Sequence, residues 1–393
     1  HNVAHSFPTR RSSDLFYLAC VPDRFGDAAA GLSAAGLAGY RSTALGFRRL
    51  AVEKPFGTNL ASARALNRLL HERYAESDIF RVDHYLGKDS VQNLLYFRFA
   101  NAIFEPIWNR QYIERVEIAV SETGGIGQRG SFYDDTGAAR DMLQSHLMQL
   151  LCLTAMERPV DLSQDAVREE KVRLLKAVPR YEGSLPVLDS IRGQYRENPE
   201  LGLKGYHDEP YVRPLSNTET FAALRLSIDS WRWAGVPFIL STGKAMDAHK
   251  AEITVVFRPT ALNSTGQDSD ANRLTLRIQP DEGVRIGLNV KAQGNDSSTA
   301  DQLSGLFRRA PGDTQAKDAY VRLLGDALAG NSTLFIRFDE TEEAWRILEP
   351  ILKAWSEQPS TGLVPYLAGS CGPTLDSLRR AEEPEAIAKA ASA

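Results

Sequence analysis

A change of pattern near residue 112 constrains the fold of this chain more than any other feature of its sequence. Before it, apolar stretches at residues 15–20 and 50–53 have the length of buried strands, and helical sequence lies at 27–37 and 60–74. After it come longer strand-like stretches, at residues 112–121, 222–230, 252–257, 274–279 and 333–337. The first part is typical of a βαβ unit, and the second indicates a large, mainly antiparallel sheet backed by helices. We therefore expect an α/β part followed by an α+β domain.

Length, charge and cysteine content restrict the class of protein. At 393 residues the chain has room for two domains, and its net charge of −4 argues against a nucleic-acid-binding surface. No apolar run approaches the length of a membrane span. Cys20, Cys152 and Cys371 are few and far apart, which favours a reducing cytoplasm over a disulfide framework. No spacing of histidine, cysteine and carboxylate residues suggests zinc, so we expect no metal.

Residues 81–88, Arg-Val-Asp-His-Tyr-Leu-Gly-Lys, concentrate more chemistry than any other stretch of the chain. His84 and Tyr85 can each donate a hydrogen bond and Lys88 supplies a compact positive charge, a combination that suits an anionic ligand with hydroxyl groups. Residues 89–99 have the apolar spacing of a helix, so Lys88 would lie at a helix N-terminus, where the backbone favours phosphate. The alternative is an ordinary loop with a solvated lysine and a packed tyrosine.

A second segment, residues 134–150, opens with turn residues and continues as a strongly apolar helix that contains His146. A histidine among leucines is in most proteins a packed core residue. A carboxylate partner would change its role: if Asp83 accepts from one ring nitrogen, the other is left as a base near neutral pH. The sequence leaves both alternatives open.

The segment Gly125-Ile126-Gly127-Gln128-Arg129-Gly130 fits the G-x-G-x-x-G pattern of a dinucleotide-binding loop and follows a predicted strand. Such a loop normally opens a helix at once. Residues 131–137 are rich in turn formers, so we expect the helix to start later and the loop to have no phosphate role.

Two tryptophans in the second half of the chain suggest another possible ligand contact. Trp231 and Trp233 alternate as residues on one face of a strand do. We expect them to pack in the core or in an interface rather than to stack on a sugar.

Short segments along the chain carry a family resemblance. They are V-E-K-P-F-G (52–57), R-V-D-H-Y-L-G-K (81–88), V-Q-N-L (91–94), R-F-A-N (98–101), P-I-W-N (106–109), R-D-M-L-Q-S-H-L-M-Q-L (140–150), T-E-T-F (218–221), W-R-W-A-G-V-P-F (231–238), T-G-K (242–244) and G-P (372–373). In this order, across residues 15–375, the chain resembles the glucose-6-phosphate dehydrogenase family. The resemblance implies an oxidoreductase that converts D-glucose 6-phosphate to 6-phosphogluconolactone with NADP, in the pentose phosphate route, as a homodimer or homotetramer.

The resemblance also implies roles for single residues. His146 corresponds to the base that takes the proton from the anomeric hydroxyl as hydride leaves the same carbon, and Asp83 to the carboxylate that orients it. Lys54 and Phe25 correspond to positions that contact the coenzyme, although the family commonly has a tyrosine at the second. The implied substrate-binding residues are Lys54, His84, Tyr85, Lys88, Glu122, Asp141, Lys244 and His249. At His249 the family often has an arginine, whose bidentate grip on phosphate histidine cannot provide.

One feature of the family has no counterpart in the sequence. The family begins with a glycine loop of G-x-x-G-D-L type that cradles the coenzyme pyrophosphate, and no segment before Lys54 resembles it. We therefore expect most of the coenzyme domain to be missing. The expected parts are a non-native leader at 1–14, a Rossmann-type remnant at 15–80, the substrate-binding and dimerisation α+β domain at 81–375, and a flexible tail at 376–393. The alternative to an active enzyme is then a catalytically impaired fragment that binds sugar phosphate.

Overall fold

The structure is a computed structural model, and it describes residues 13–38, 46–182, 188–260, 271–291, 300–308, 318–358 and 362–379. The chain divides into two compact units: the first contains His1–Lys88, Pro159–Glu169 and Lys317–Glu342, and the second contains Asp89–Arg158, Glu170–Ala316 and Glu343–Ala393. The sequence placed the change of domain after residue 80, whereas the first unit continues through Lys88 and includes two later segments. Most of the predicted leader and tail, residues 1–12 and 380–393, lies outside the described residues.

The first unit contains a three-stranded sheet among its described residues. Strands β1 (Asp14–Leu18), β2 (Arg48–Val52) and β3 (Ile79–Arg81) run parallel in the order β1-β2-β3. The helix Phe25–Ala34 follows β1, and the helix Leu60–His71 follows β2. Parallel strands separated by helices confirm the predicted α/β part.

The strand predicted at residues 333–337 is wrong. This segment forms a turn with a single bridge, in which the Ile336 N–H donates to the Arg81 carbonyl at 3.1 Å. Phe335 and Ile336 are adjacent and both are buried, so they do not follow the alternation of a strand. Phe335 packs edge-to-face on Phe80, with ring centroids 4.9 Å apart. Burial in the core of the first unit therefore accounts for this apolar run.

The second unit is built around a sheet that has nine strands, counted over the described residues. In spatial order the strands are β11 (Ala300–Phe307), β10 (Gly283–Lys291), β9 (Arg273–Gln279), β8 (Lys250–Phe257), β4 (Ile113–Ser121), β7 (Phe238–Gly243), β6 (Phe221–Leu226), β5 (Ser190–Arg196) and β12 (Leu363–Leu367). Central β4 pairs antiparallel with β8 and parallel with β7, and β12 also pairs parallel with β5. The other pairs are antiparallel, which confirms the predicted, mainly antiparallel sheet.

The sequence did not predict β5, β7, β10, β11 or β12. Strand β7 is buried at every position, so it lacks the alternation by which a half-buried strand is recognised. Strand β5 contains Gly193, which normally weakens a strand signal. A Cβ at Gly193 would lie 2.9 Å from the Val364 carbonyl oxygen of the neighbouring strand. This glycine is required by a partner that is distant in sequence, and local pattern cannot show that.

The helix predicted at residues 89–99 is observed as Asp89–Phe99. The apolar helix predicted at 134–150 is part of a longer run made of Gly130–Ala138, a π-helix at Ala139–Leu147 and Met148–Ala155. Every residue from Met142 to Met156 is buried, so this run passes through the core of the second unit. The other α-helices in the described part of the chain are Gln164–Lys176, Ala319–Ala329, Phe338–Glu357 and Asp376–Arg379. Short 3-10 turns lie at Pro22–Arg24, Glu76–Asp78, Glu105–Ile107, Gly127–Arg129 and Tyr206–Asp208.

The glycine-rich loop after β4 differs from its predicted form. The helix does not start after residue 137 but at Gly130, the last residue of the loop. A Cβ at Gly125 would collide with the Glu209 carboxylate, and a Cβ at Gly130 would collide with the Pro210 carbonyl. Close packing within the second unit therefore gives both glycines a structural role.

The predicted strand geometry of the two tryptophans is wrong, because residues 231–234 form a turn after β6 has ended. Trp233 is 1% exposed and donates its Nε1–H to the Ala155 carbonyl at 2.7 Å. Trp231 is 89% exposed, with the Arg110 guanidinium 5.4 Å from its ring centroid. Only one of the two rings is a core residue, since a turn does not place alternate residues on one face.

Cys20, Cys152 and Cys371, which all lie in the described ranges, form no disulfide; the first and last are exposed and Cys152 is buried. Within the described ranges, no helix combines the length and the apolar character needed to cross a bilayer.

We expect Trp233→Ala to destabilise the protein by about 3–5 kcal/mol, because it leaves a cavity and an unpaired carbonyl in the core. The matched variant Trp231→Ala should change stability by less than about 0.5 kcal/mol, since its ring is exposed. Urea denaturation followed by intrinsic fluorescence and circular dichroism measures both. Equal shifts of the two midpoints would contradict the assignment of Trp233 to the core.

Candidate active site

Asp83 and the predicted phosphate ligands His84, Tyr85 and Lys88 lie in the loop that follows β3. Asp83 is 1% exposed, and its Oδ1 accepts from the Tyr85 N–H at 2.9 Å, which closes a tight turn. The Lys88 ammonium lies 4.5 Å from the centroid of the Tyr85 ring. Burial lowers the pKa of Lys88, and the nearby Asp83 carboxylate partly opposes that shift. The loop thus holds a half-buried ammonium directly before the helix that begins at Asp89.

The helix Ala319–Ala329 of the first unit packs against this loop. A Cβ at Gly87 would lie 2.7 Å from the Ala319 carbonyl oxygen, so glycine is needed for the contact. The Tyr320 ring lies parallel to His84, with centroids 6.4 Å apart and planes 7° apart. The position of His84 therefore depends on a helix that lies far along the chain, and no sequence signal predicted this.

Lys54 and Phe25, predicted to contact the coenzyme, have different environments in the first unit. Lys54 is half-buried just beyond the carboxyl end of β2, and its peptide bond to Pro55 is cis. The neighbouring Glu53 carboxylate accepts hydrogen bonds from the Tyr17 and Tyr320 hydroxyls. Phe25 is fully buried, so its ring is a core residue and does not reach the surface in this structure.

The second unit brings three predicted sugar ligands together. The Lys244 Nζ lies 2.6 Å from Glu122 Oε1 and 3.9 Å from Asp141 Oδ2, and the lysine side chain is almost fully buried. The parallel pairing of β4 with β7 sets Ser121 opposite Gly243, so the next residues, Glu122 and Lys244, leave the same end of the sheet together. The result is a compact group of two carboxylates and one ammonium at and beyond the carboxyl ends of the two parallel strands β4 and β7.

His146 lies on the π-helix Ala139–Leu147, which also carries Asp141. Its side chain is buried, at 1% exposure, among equally buried Leu143 and Leu147. Asp83 belongs to the first unit and His146 to the second, so their pairing stays a prediction.

His249, the predicted substrate ligand at which the family often has an arginine, follows β7 in the sequence and is exposed. Its Nε2 lies 3.1 Å from the amide nitrogen of Gln279, at the end of β9. Sequence reasoning did not single out Gln279. Pairing of β8 with β9 decides this proximity, and it joins two segments that are separated in the sequence by residues 261–270, which lie outside the described ranges.

A buried carboxylate in the helix that precedes His146 was also not singled out by the sequence analysis. It bonds this helix to residues 206–216. Asp134 accepts from Tyr206 Oη at 2.8 Å, from Arg213 Nε at 2.6 Å and from the Ser216 hydroxyl. Its own carbonyl accepts from the Thr218 hydroxyl at 2.6 Å. Burial raises the pKa of Asp134, but these hydrogen bonds outweigh burial and hold the pKa below its usual value.

The sequence matches two models of one family. The model described as "Glucose-6-phosphate dehydrogenase, NAD binding domain" matches residues 2–93, and "Glucose-6-phosphate dehydrogenase, C-terminal domain" matches residues 95–383. The expectation that most of the coenzyme domain is missing is therefore not borne out, because the model of that domain matches the start of this chain.

Individual relatives agree with the family match. Glucose-6-phosphate 1-dehydrogenase of Rhizobium meliloti (strain 1021) is 45% identical over 334 residues, which are 83% of this chain and 67% of the relative. The enzyme of Mycolicibacterium smegmatis is 42% identical over 365 residues, or 91% of this chain and 72% of the relative.

Two solved structures have the same fold. A glucose-6-phosphate dehydrogenase in complex with its substrate glucose-6-phosphate has a TM-score of 0.82 at 34% identity, covering 93% of this chain and 74% of the other. The glucose-6-phosphate 1-dehydrogenase of Mycobacterium avium has a TM-score of 0.77 at 37% identity, covering 94% and 76%.

The lowered pKa of Asp134 predicts a stability loss in acid. A carboxyl group whose pKa is depressed in the folded state stabilises the fold at pH values above its pKa in the unfolded state, which is about 3.9. This contribution disappears as the pH falls through the folded-state pKa. We expect Asp134→Asn to lose about 1–3 kcal/mol at pH 7 and to lack this acid-dependent part. Urea midpoints between pH 3 and pH 7 measure it, with the exposed Asp135→Asn as the control. Parallel pH curves for wild type and Asp134→Asn would contradict the argument.

Proposed function

Because the chain belongs to the glucose-6-phosphate dehydrogenase family, we propose that it oxidises D-glucose 6-phosphate to 6-phosphogluconolactone and uses NADP as the hydride acceptor. It is an oxidoreductase of the CH–OH group, with a nicotinamide dinucleotide as coenzyme. The observation that carries the proposal is the group formed by Lys244, Glu122 and Asp141.

This group suits a sugar. Ionised carboxylates only accept hydrogen bonds and an ammonium only donates them, while each sugar hydroxyl can do both. The buried Lys244 ammonium lies within ion-pair distance of Glu122 and Asp141 and balances part of their charge, so one donor and two acceptor groups are held side by side. We assign Glu122, Asp141 and Lys244 to the sugar hydroxyls on this basis.

The loop after β3 suits the phosphate. Half-burial removes part of the hydration of the Lys88 ammonium, and its lowered pKa is the sign of that loss. A phosphate dianion would replace the missing hydration with charge-assisted hydrogen bonds. His84 and Tyr85 add two donors beside it, and we assign all three to the phosphate, with the exposed His249 as a further ligand.

The reaction needs a base beside the carbon that loses hydride, because hydride leaves readily only as the hydroxyl gives up its proton. We assign this role to His146, which takes the anomeric hydroxyl proton and becomes an imidazolium. A buried imidazolium requires a carboxylate partner, and we assign Asp83 to orient and stabilise it. The coenzyme, when bound, accepts the hydride from the same carbon.

The first unit fits a dinucleotide coenzyme. Its described strands are parallel and alternate with helices, and dinucleotides bind at the carboxyl ends of such strands. Lys54 and Asp83 lie just beyond the ends of the neighbouring strands β2 and β3. This supports Lys54 as a residue near the coenzyme and the anomeric carbon.

The alternative of an impaired sugar-phosphate-binding fragment depended on the loss of the coenzyme domain, which the match over residues 2–93 does not bear out. The cytoplasmic location and the homodimer or homotetramer stay predictions from the sequence and the family.

We expect the purified chain to reduce NADP with glucose 6-phosphate, measured as NADPH absorbance. His146→Asn should lower kcat by about 10²–10⁴-fold and leave glucose 6-phosphate binding nearly unchanged, because proton transfer matters only in the transition state. His207→Asn, which alters an exposed histidine that contacts the Ser216 carbonyl, is the control. Absence of turnover by the wild type would sink the function, whereas near-normal kcat in His146→Asn would remove only the base.

Lys88→Ala should lower kcat/KM for glucose 6-phosphate by about 10–100-fold, the worth of a hydrogen bond to a charged group, and should affect free glucose less than threefold. Lys176→Ala, which removes an exposed lysine, serves as the control. Equal losses for both sugars would mean that Lys88 supports the loop and does not bind phosphate.

A further inference from the structure

The T-E-T-F segment, residues 218–221, matched the family without receiving a role. It lies in the second unit, where the Thr218 hydroxyl donates to the Asp134 carbonyl and Phe221 begins β6. Its Glu219 is only 7% exposed. A buried carboxylate outside the group around Lys244 requires a physical explanation.

The nearby helix is interrupted at Gly137. The backbone there has φ 71° and ψ 170°, so the run of Gly130–Ala138 is broken, and the π-helix that carries Asp141 and His146 starts anew at Ala139. Each helix start leaves backbone N–H groups without helical partners. Ala138 and Ala139 are both buried, so these groups cannot turn to water and need acceptors from the protein.

Glu219 supplies those acceptors. Its side-chain Oε1 accepts from the Ala139 N–H at 3.1 Å, and its backbone carbonyl accepts from the Ala138 N–H at 3.0 Å. A Cβ at Gly137 would collide with the same carboxylate, so the glycine makes room for it. A carboxylate at a helix N-terminus is also favoured by the helix dipole.

Burial raises the pKa of Glu219, while the Ala139 N–H and the guanidinium groups of Arg140 and Arg192 act in the opposite direction. The protein therefore tolerates the cost of burying this group at the start of the helix, which indicates that the position of its oxygen atoms matters.

The neighbouring residue Thr220 connects the same segment to Lys244. The Lys244 N–H donates to the Thr220 carbonyl at 2.9 Å. The Thr220 hydroxyl lies 2.9 Å from the Tyr366 hydroxyl, which in turn donates to the Lys244 carbonyl at 2.7 Å. One dipeptide thus holds the start of the helix on one side and the backbone of Lys244 on the other.

We propose that Glu219 is a positioning residue, which fixes the helix bearing Asp141 and His146 against the strand end bearing Lys244. The inference rests on the proposed function for its effect on turnover. Glu219 does not belong to the group that is proposed to contact the sugar. It acts by keeping Ala139, and with it the first turn of the π-helix, in place.

Three substitutions separate the position of the acceptor from its charge. Glu219→Gln keeps an acceptor oxygen at the same distance and should hold kcat within threefold of wild type. Glu219→Met has a similar shape without an acceptor and should lower kcat at least tenfold, because small displacements of a catalytic group are costly. Glu219→Asp withdraws the carboxylate by about one C–C bond, roughly 1.5 Å, and should lower kcat more than Gln does. KM should change less than kcat in all three.

Hydrogen exchange of peptides that span residues 139–147, followed by mass spectrometry, tests the proposal without relying on activity. Exchange should accelerate in Glu219→Met and Glu219→Asp but not in Glu219→Gln. The control is Glu209→Gln, which alters another carboxylate of the second unit that accepts from a backbone N–H, that of Ile126 at 3.2 Å. It should leave exchange in these peptides at the wild-type rate.

A wild type without turnover would refute the proposed function and leave the exchange experiment to decide on Glu219. Wild-type kcat and exchange in folded Glu219→Met would overturn the proposal. If that variant does not fold, a Glu219→Asp that outperforms Glu219→Gln in kcat would overturn it, since charge and not acceptor position would then matter.

Discussion

The parallel register of β4 and β7 is the constraint on which the candidate site of the second unit depends. Because Ser121 lies opposite Gly243, the two strands end together, and Glu122 and Lys244 emerge side by side. Shifting either strand by one residue would turn these side chains to opposite faces of the sheet. Antiparallel neighbours on both sides, β8 and β6, hold the two strands in that register.

The second constraint is a helix that crosses the core while carrying polar groups. From Met142 to Met156 all side chains are buried, and the run includes His146. A buried helix of this kind is stable only if its ends and its polar side chains find partners inside the protein. Asp134 is a polar side chain that finds its partners before the break at Gly137, and Glu219 accepts from the backbone where the helix restarts after the break. Both residues connect the helix to residues 206–220. The same contacts that satisfy the backbone also set the direction of the helix.

Local pattern predicted elements whose apolar residues are spaced as in a helix or a strand within the segment itself. The helix Asp89–Phe99 and the strand Ile113–Ser121 are of this kind. It failed where a distant segment decides the conformation. Strand β7 has no alternation because it is buried on both faces, and the turn at Trp231 and Trp233 imitates a strand. The loop from Gly125 to Gly130 imitates a dinucleotide motif, yet its glycines are needed for packing against Glu209 and Pro210.

The sequence by itself determined the family, the two-part fold class and the types of residue available for chemistry, because these are written in motif order and in the spacing of apolar residues. Only the tertiary structure decided which of them meet. It brings Lys244 within ion-pair distance of Glu122 and Asp141 and places Tyr320 beside His84. It also places the Glu219 carboxylate where it accepts from the Ala139 N–H. These contacts link residues far apart in the chain, and they depend on strand register and helix packing, which a linear pattern does not encode.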